Sequence, residues 1–408
     1  MDPTVLVVFL FVYLGMILGG IPGYALDRTG VAMLGAIALI VAEKVTPVEA
    51  WDAVDVPTIA LLLGLMVVSA QFRLGGAYTA ITHRIAAAAV SPARLQLLVI
   101  LGSAALSAVL ANDIVCLAVA PLLVEACMRR GLRPLPFLLG LACASNVGSA
   151  ATLIGNPQNM LIGQKLQLSF AGYLLDGGVP AALGCIVTWA IICRQVRGRW
   201  DAPPATLHVD APHFNRWQTI KGTLVLVGLM GMFLFAAWPR EVVALAAAGV
   251  LMMSRRMHSR RMIGLIDWPL LVLFAGLFIV NHALAASGML DAALAALRAG
   301  GVDLAQPVWL FAVCAALSNV VSNVPAVMLL LPAAGDHPQA GALLALSSTL
   351  AGNLFIVGSI ANIIVVDQAA RLGVKITWGQ HARTGVPVTL ATLAIAAGWL
   401  WLRGVVGS

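Results

Sequence analysis

Apolar runs approaching the length of a bilayer crossing recur along the whole of this 408-residue chain, and four regions are interrupted at their centres by Asn, Gly, Ser or Pro. A spanning helix needs about 20 mostly apolar residues. Segments 3–21, 29–43, 56–72, 173–193, 219–237, 241–254, 267–287 and 384–402 approach that length. Segments 135–168 and 339–372 exceed it and carry Gly, Asn or Ser near their middles, so each reads as a broken helix. Regions 94–128 and 306–334 have Asn-rich centres and read as re-entrant helical hairpins. The Ala-rich stretches 74–92 and 289–299 read as amphipathic helices along the interface. The fold class that follows is an all-α polytopic membrane protein. Composition agrees, at 61% hydrophobic and 10% charged residues, where soluble domains carry roughly 25% charged residues. The first apolar run lacks a preceding basic stretch and follows an acid, so it reads as a retained span.

The interruptions are related to one another. LSAVLANDIVCLAVAP from Leu106 aligns without gaps to LSNVVSNVPAVMLLLP from Leu317, matching Ser107 with Ser318, Asn112 with Asn323 and Pro121 with Pro332. Further on, Ser145–Asn159 lies over Ser348–Asn362, matching Gly155 with Gly358 and Asn159 with Asn362. Both halves then close with Gly-Val-Pro, at Pro180 and Pro387. Each half runs as three spans, an amphipathic helix, a hairpin, a broken span and a final span. The chain thus divides into a first repeat, 1–193, a polar linker, 194–218, expected on the cytoplasmic side, and a second repeat, 219–408. Five crossings per half place the second copy upside down relative to the first. Two inverted-topology repeats of five spans each are the signature of secondary transporters.

Charge gives an orientation. With these spans, Lys44, Lys165, Arg240, Arg298 and Arg403 fall on one side; the other nineteen of the 24 basic residues, Arg255 and Arg256 included, fall opposite. The basic side is cytoplasmic by the positive-inside rule. Both termini are then extracytoplasmic. The first hairpin enters from the cytoplasm and the second from the exterior. The net charge of +7 is accounted for by this asymmetry, and no nucleic-acid partner is expected.

Irregular backbone at membrane depth persists only around a cavity or inside protein. The hairpin tips at Ala111-Asn112-Asp113 and Ser322-Asn323 and the breaks at Gly155-Asn156-Pro157 and Gly358-Ser359 are such places. Glycine admits close backbone approach, Pro157 bars a continuous helix, and half-helix N-termini offer amide hydrogens to anions. The candidate substrate and ion site is Asn112, Asp113, Thr152, Gly155, Asn156, Asn159, Ser322, Asn323, Asn353, Gly358, Ser359 and Asn362. The plain alternative is that these residues cap helix ends or hold helices together. Four Asn-bearing interruptions related by a repeat argue against it.

Asp113 stands apart, because an intramembrane carboxylate is expensive and is a functional hypothesis by default. Three roles are open to it: proton carrier, direct ligand, or cap. The first is preferred, since its counterpart Val324 leaves a single titrating group. Asn281 and His282 read as interfacial residues at a span end, Glu125 and Asp367 as reaching water at helix ends, and Asp267 as a cap. The six cysteines lie inside apolar segments without a CxxC pair, which reads as helix packing, with thiolate ligation of a metalloid as the alternative. No metal site, cofactor or enzymatic motif is expected.

At these residues the sequence resembles the ArsB/NhaD branch of the ion transporter superfamily. The motifs are LANDIVCLAVAPLL (Leu110–Leu123), ASNVGSAATLIGNPQNMLIG (Ala144–Gly163), SNVVSNVPAVMLLLP (Ser318–Pro332) and SSTLAGNLFIVGSIANIIV (Ser347–Val365). The IGNPQN element also resembles bacterial anion permeases and plant silicic acid efflux transporters. The resemblance implies a homodimer with scaffold and transport domains moving in an elevator-like manner. It places both tips and both breaks in the transport domain. Where sodium/dicarboxylate relatives carry Ser-Asn-Thr at both tips, this chain has Asn112-Asp113-Ile114 and Ser322-Asn323-Val324, which favours proton coupling. The expected function is proton-coupled efflux of arsenite or antimonite across the inner membrane, with a soluble ATPase as a partner if the chain is ArsB-like. The alternatives are sodium- or proton-coupled transport of a small anion such as sulfate or a dicarboxylate, and sodium/proton antiport.

Overall fold

The computed structural model describes residues 2–404 except 206, 208, 211, 255, 256, 335, 336 and 338. Arg255 and Arg256 of the charge count, and three positions of the linker, therefore lie outside the described residues. The first half comprises α1 (Pro3–Leu18), α2 (Arg28–Val41), α3 (Pro47–Ala53), α4 (Val56–Leu74), α5 (Ala77–Ala86), α6 (Pro92–Val109), α7 (Asn112–Arg129), α8 (Pro134–Ser149), α9 (Pro157–Lys165) and α10 (Phe170–Val196). The second comprises α11 (Arg216–Phe235), α12 (Arg240–Met252), α13 (Ser259–Ile263), α14 (Trp268–Ala286), α15 (Met289–Ala299), α16 (Pro307–Val321), α17 (Asn323–Leu330), α18 (Ala340–Ala351), α19 (Ile360–Arg371) and α20 (Trp378–Leu402). Six of these helices are long and apolar enough to cross a membrane: α4, α6, α10, α11, α14 and α20.

The helix starts follow from local chemistry. Proline occupies the first turn of α1, α3, α4, α6, α8, α9, α14 and α16, where its missing N–H costs no hydrogen bond. Asp55 and Asp267 cap α4 and α14, accepting from the amides of Thr58 and Leu270 at 2.9 and 3.0 Å. Three small elements escape the apolar pattern: a two-residue β ladder, β1 (Gly20–Ile21) with β2 (Leu26–Asp27), and the short helices α3 and α13.

Packing pairs are exchanged between the halves. Helix α2 packs on α14, and α12 packs on α4. A Cβ on Gly276 would come within 2.8 Å of the Ala32 backbone, and one on Gly64 within 2.7 Å of the Ala244 backbone. Small residues thus let backbones touch at both crossings. In the other group, α6 packs on α8, α16 on α18, α7 on α19, α17 on α9, and α10 on α20.

The linker is pinned as well as polar. Arg133 and Ala202 donate backbone hydrogen bonds to Trp200 and Gly131 at 2.8 Å, and the buried Trp200 ring packs 5.5 Å from that of Phe137. Two expectations need correction. Asn281 is inside α14 and accepts from the buried Tyr13 hydroxyl at 2.9 Å, so it joins helices instead of facing an interface. Glu125 is 7% exposed and lies 3.6 Å from Arg129, in the wall of a cavity that His83 and Arg130 also line, so it is recessed instead of reaching out to water.

Candidate functional site

Both hairpin tips and both helix breaks converge on one polar core. The first tip is the turn between α6 and α7. There the Asn112 backbone N–H donates to the Gly155 carbonyl at 3.3 Å, and the Ala111 N–H donates to Ser69 Oγ at 3.3 Å. The second tip is tighter: Ser322, between α16 and α17, has φ 78° and ψ 161°, a backbone region essentially restricted to glycine. With its amide turned to satisfy its neighbours, Asn323 donates to the carbonyls of Ser348 and Gly358 at 3.1 and 3.2 Å and accepts from Gln158 Nε2 at 3.2 Å. Each tip asparagine thus touches the glycine of a break, Asn112 that of its own half and Asn323 likewise.

The breaks themselves are held by asparagines. Asn156 caps α9, accepting from the Asn159 N–H at 2.9 Å, and Ser359 caps α19, accepting from the Ala361 N–H at 3.2 Å. Asn159 Nδ2 donates to the Thr152 carbonyl at 2.9 Å. Its counterpart Asn362 Nδ2 donates to the carbonyls of Gly352 and Phe355 at 2.8 and 3.2 Å. Unwound carbonyls that a helix would satisfy are satisfied instead by these amides. Gly155 is required by space: a Cβ there would lie 2.3 Å from the Ser149 oxygen and 2.8 Å from that of Ser107.

Two residues that the sequence reading passed over join the halves. Asn146 on α8 donates to Asn353 Oδ1 at 2.8 Å and to Asn362 Oδ1 at 3.2 Å, accepts from Ser359 Oγ at 2.8 Å, and meets Asn112 Nδ2 at 3.4 Å. Thr349 on α18 holds the matching position. It donates to Asn159 Oδ1 at 3.2 Å and accepts from Asn156 and Gln158 at 3.2 and 3.1 Å. Asn146 aligns with Thr349 in the repeat, so a search for aligned polar pairs instead of identical ones finds both. Behind them, Tyr173 of α10 donates to the Ala150 carbonyl at 2.9 Å, and His381 Nε2 of α20 lies 3.1 Å from the Asn353 carbonyl.

The arrangement is closed. Asn112, Asn156, Asn159, Asn323, Asn353, Ser359 and Asn362 are all buried, and Thr152 Oγ1 is engaged by the Ala108 carbonyl. Yet Asn112 Oδ1, Ser107 Oγ, Ser318 Oγ and Asn319 Oδ1 are buried with no hydrogen-bond partner among the described residues. Orphaned buried polar atoms are costly, and these four lie at the C-terminal ends of α6 and α16 and at the first tip. Asp113, in the first turn of α7, is half-buried and has no hydrogen-bond or ion-pair partner among the described residues. The core can therefore offer neutral donors and acceptors from both halves, with the Asp113 carboxylate at its edge.

Comparison with known proteins agrees with this architecture. The sequence model of the CitMHS family, described as citrate transporter, matches residues 9–343. An uncharacterized transporter of Mycobacterium tuberculosis is 30% identical over 405 residues, 92% of this chain and 94% of that protein. The silicon efflux transporter of rice, Oryza sativa subsp. japonica, is 26% identical over 462 residues, covering 92% of each. An inner membrane protein of Escherichia coli is 31% identical over 346 residues, 82% of this chain and 85% of that one. The solved structure of the YdaH transporter of Alcanivorax borkumensis superposes over 98% of both chains with a TM-score of 0.57 at 15% identity, a likeness of fold.

Proposed function

This chain belongs to the CitMHS family of citrate transporters, and we propose that it is a proton-coupled secondary transporter of small uncharged metalloid hydroxides, with arsenite and antimonite as type cases. The observation that carries this reading is the make-up of the polar core. Its linked side chains are amides and hydroxyls, and no Lys or Arg enters it among the described residues. A dianion would rely on helix dipoles and co-bound cations there. A neutral polyhydroxide needs only hydrogen bonds, which Asn, Ser and Thr give and accept. Silicic acid belongs to the same chemical class, and the name of the rice relative supports including it. Asp113, beside the tip, is the proposed proton carrier, with the tips and breaks as the moving body of an elevator-like homodimer. Efflux across the inner membrane, with both termini outside, completes the proposal.

A second reading, transport of citrate or another carboxylate coupled to sodium or protons, is favoured by the description of the family. Reconstitution into proteoliposomes with imposed pH or sodium gradients separates the two. The panel is arsenite, antimonite, silicic acid, sulfate, succinate and citrate, with Asp113→Asn beside the natural chain. The expected result is saturable metalloid flux driven by a pH gradient and uncoupled in the variant. Citrate flux without metalloid flux establishes the second reading, and full proton coupling in Asp113→Asn removes the role given to that carboxylate.

A further inference from the structure

Away from the polar core, the start of α8, the end of α10 and the start of α20 enclose a cavity of about 280 Å³. Arg133, Arg199 and Arg383 line it with Gln195, Gln380 and Thr384, over an apolar wall that includes Ile192. No carboxylate lines it among the described residues, and none of the three arginines is in a salt bridge there. The neutral groups are largely spent on fixing the walls. Gln195 Nε2 donates to the Arg383 carbonyl at 2.7 Å, Thr384 Oγ1 donates to Gln195 Oε1 at 2.6 Å, and Gln380 Oε1 accepts from the Thr377 N–H at 2.8 Å. Arg133 makes one long bond, 3.5 Å, to the Arg199 carbonyl. The remaining guanidinium N–H groups are therefore the cavity's unspent donors. Helix α8 also opens at Arg133 without a side-chain cap, which adds the positive end of its dipole.

Arg133, Arg199 and Arg383 are exposed, and three positive charges around one concavity repel one another and focus a positive potential into it. The guanidinium fork matches the spacing of phosphate oxygens. The volume admits a headgroup-sized anion and no folded partner. We infer that this cavity binds a phosphate-class oxyanion, supplied by an anionic phospholipid headgroup or by a soluble phosphate compound. The Arg133 end of the site is removed from the polar core, since Asn146 follows Arg133 along α8 by roughly 20 Å at 1.5 Å per residue. It is connected to the core through α20, where His381 Nε2, in the same turn as Arg383 and Thr384, lies 3.1 Å from the Asn353 carbonyl, against which Gly385 also packs.

The test uses the full-length protein with two probes. Inorganic pyrophosphate is titrated in detergent, and lipid retention is measured by native mass spectrometry from nanodiscs of phosphatidylcholine with or without phosphatidylglycerol. The triple variant Arg133→Gln/Arg199→Gln/Arg383→Gln is compared with Arg194→Gln/Arg197→Gln, which removes charge from the same helix end outside the cavity. At least one probe is expected to bind saturably to the natural chain and the control. The triple variant should weaken it at least about 30-fold, the scale of charge-assisted hydrogen bonds lost together. Pyrophosphate binding assigns a soluble ligand, and preferential retention of phosphatidylglycerol assigns a headgroup. Equal binding by triple and control variants, or saturable binding of neither probe, overturns the inference. If the triple variant does not fold, Arg383→Gln is set against Arg194→Gln, with about tenfold and under twofold losses expected respectively.

Discussion

Asn146 Nδ2 and Asn353 Oδ1, 207 residues apart in sequence, meet in a 2.8 Å hydrogen bond inside the protein. The bond joins the intact part of one broken helix to the break of the other, and Thr349 makes the reciprocal connection to Asn159. Each break is thereby held from the opposite half of the chain. Neither half can rearrange its break without releasing the other.

Removing either partner should then damage both. Asn146→Ala leaves the Oδ1 atoms of Asn353 and Asn362 without their donor, and a buried acceptor left unpaired costs about 1–3 kcal/mol. In a double-mutant cycle with Asn353→Ala, the two losses should be non-additive by about 1 kcal/mol or more, as for residues sharing a network. Thermal unfolding of the four proteins in one detergent measures this. Additive effects would show that the two residues are not coupled.

How far the sequence reached can be judged at these same residues. The long apolar helices, the two hairpins and the two breaks were legible because apolar length and interruption by Asn, Gly and Pro are local properties, whereas the short helices α3 and α13 were not. The converging tips were legible through the repeat. Asn146 and Thr349 were not, since each lies inside a helix without breaking it and their partners come from the other half. Tyr173 and His381 escaped for a related reason: one aromatic hydroxyl and one imidazole in long apolar helices give no pattern. The roles of Asn159 and Asn362 also shifted. Their amides are occupied by carbonyls of the breaks, so they brace the site more than they face open space.

Glycines behind the breaks make a sharper test of close packing. A Cβ on Gly385 would lie 2.2 Å from the Asn353 oxygen, and one on Gly177 2.5 Å from that of Ala150. Backbone must move in either case, and overpacking of this kind costs about 1–3 kcal/mol or more. Gly379 and Gly398, on the same helix as Gly385, have open space at the corresponding position. There alanine should be neutral or stabilising by up to about 1 kcal/mol, because glycine is a poor helix former. Comparable melting temperatures for Gly385→Ala and Gly398→Ala would contradict the packing described.

Tyr13 connects α1 to the second hairpin. Its buried hydroxyl donates to Asn281 Oδ1 at 2.9 Å and approaches the Pro325 carbonyl at 3.3 Å. Tyr13→Phe keeps the ring and removes the donor, which should cost about 1–3 kcal/mol through the stranded acceptors. Because the bond links α1 and α14 to α17, its loss should also loosen the second hairpin. Hydrogen exchange across residues 321–330 should accelerate in the variant, while exchange across 112–129 stays as in the natural chain. Unchanged exchange in both segments would show that the hydroxyl holds nothing across this contact.

Strain at the second tip sits in Ser322. Its φ of 78° with ψ of 161° is a conformation that costs a non-glycine residue about 1–3 kcal/mol. The aligned residue of the first tip, Ala111, has an ordinary φ of −56°, so the strain belongs to one hairpin only. Ser322→Gly relieves it at the cost of about 0.5–1 kcal/mol in chain entropy. The net expectation is a variant as stable as the natural chain or more so, by up to about 2 kcal/mol. If strain at this tip helps the hairpin leave its closed position, the stabilised variant should transport more slowly at saturating substrate while binding it no more weakly. Unfolding midpoints together with KM and kcat from proteoliposome flux decide the matter. A destabilised Ser322→Gly protein would show that the serine conformation is relaxed and that the second tip stores nothing.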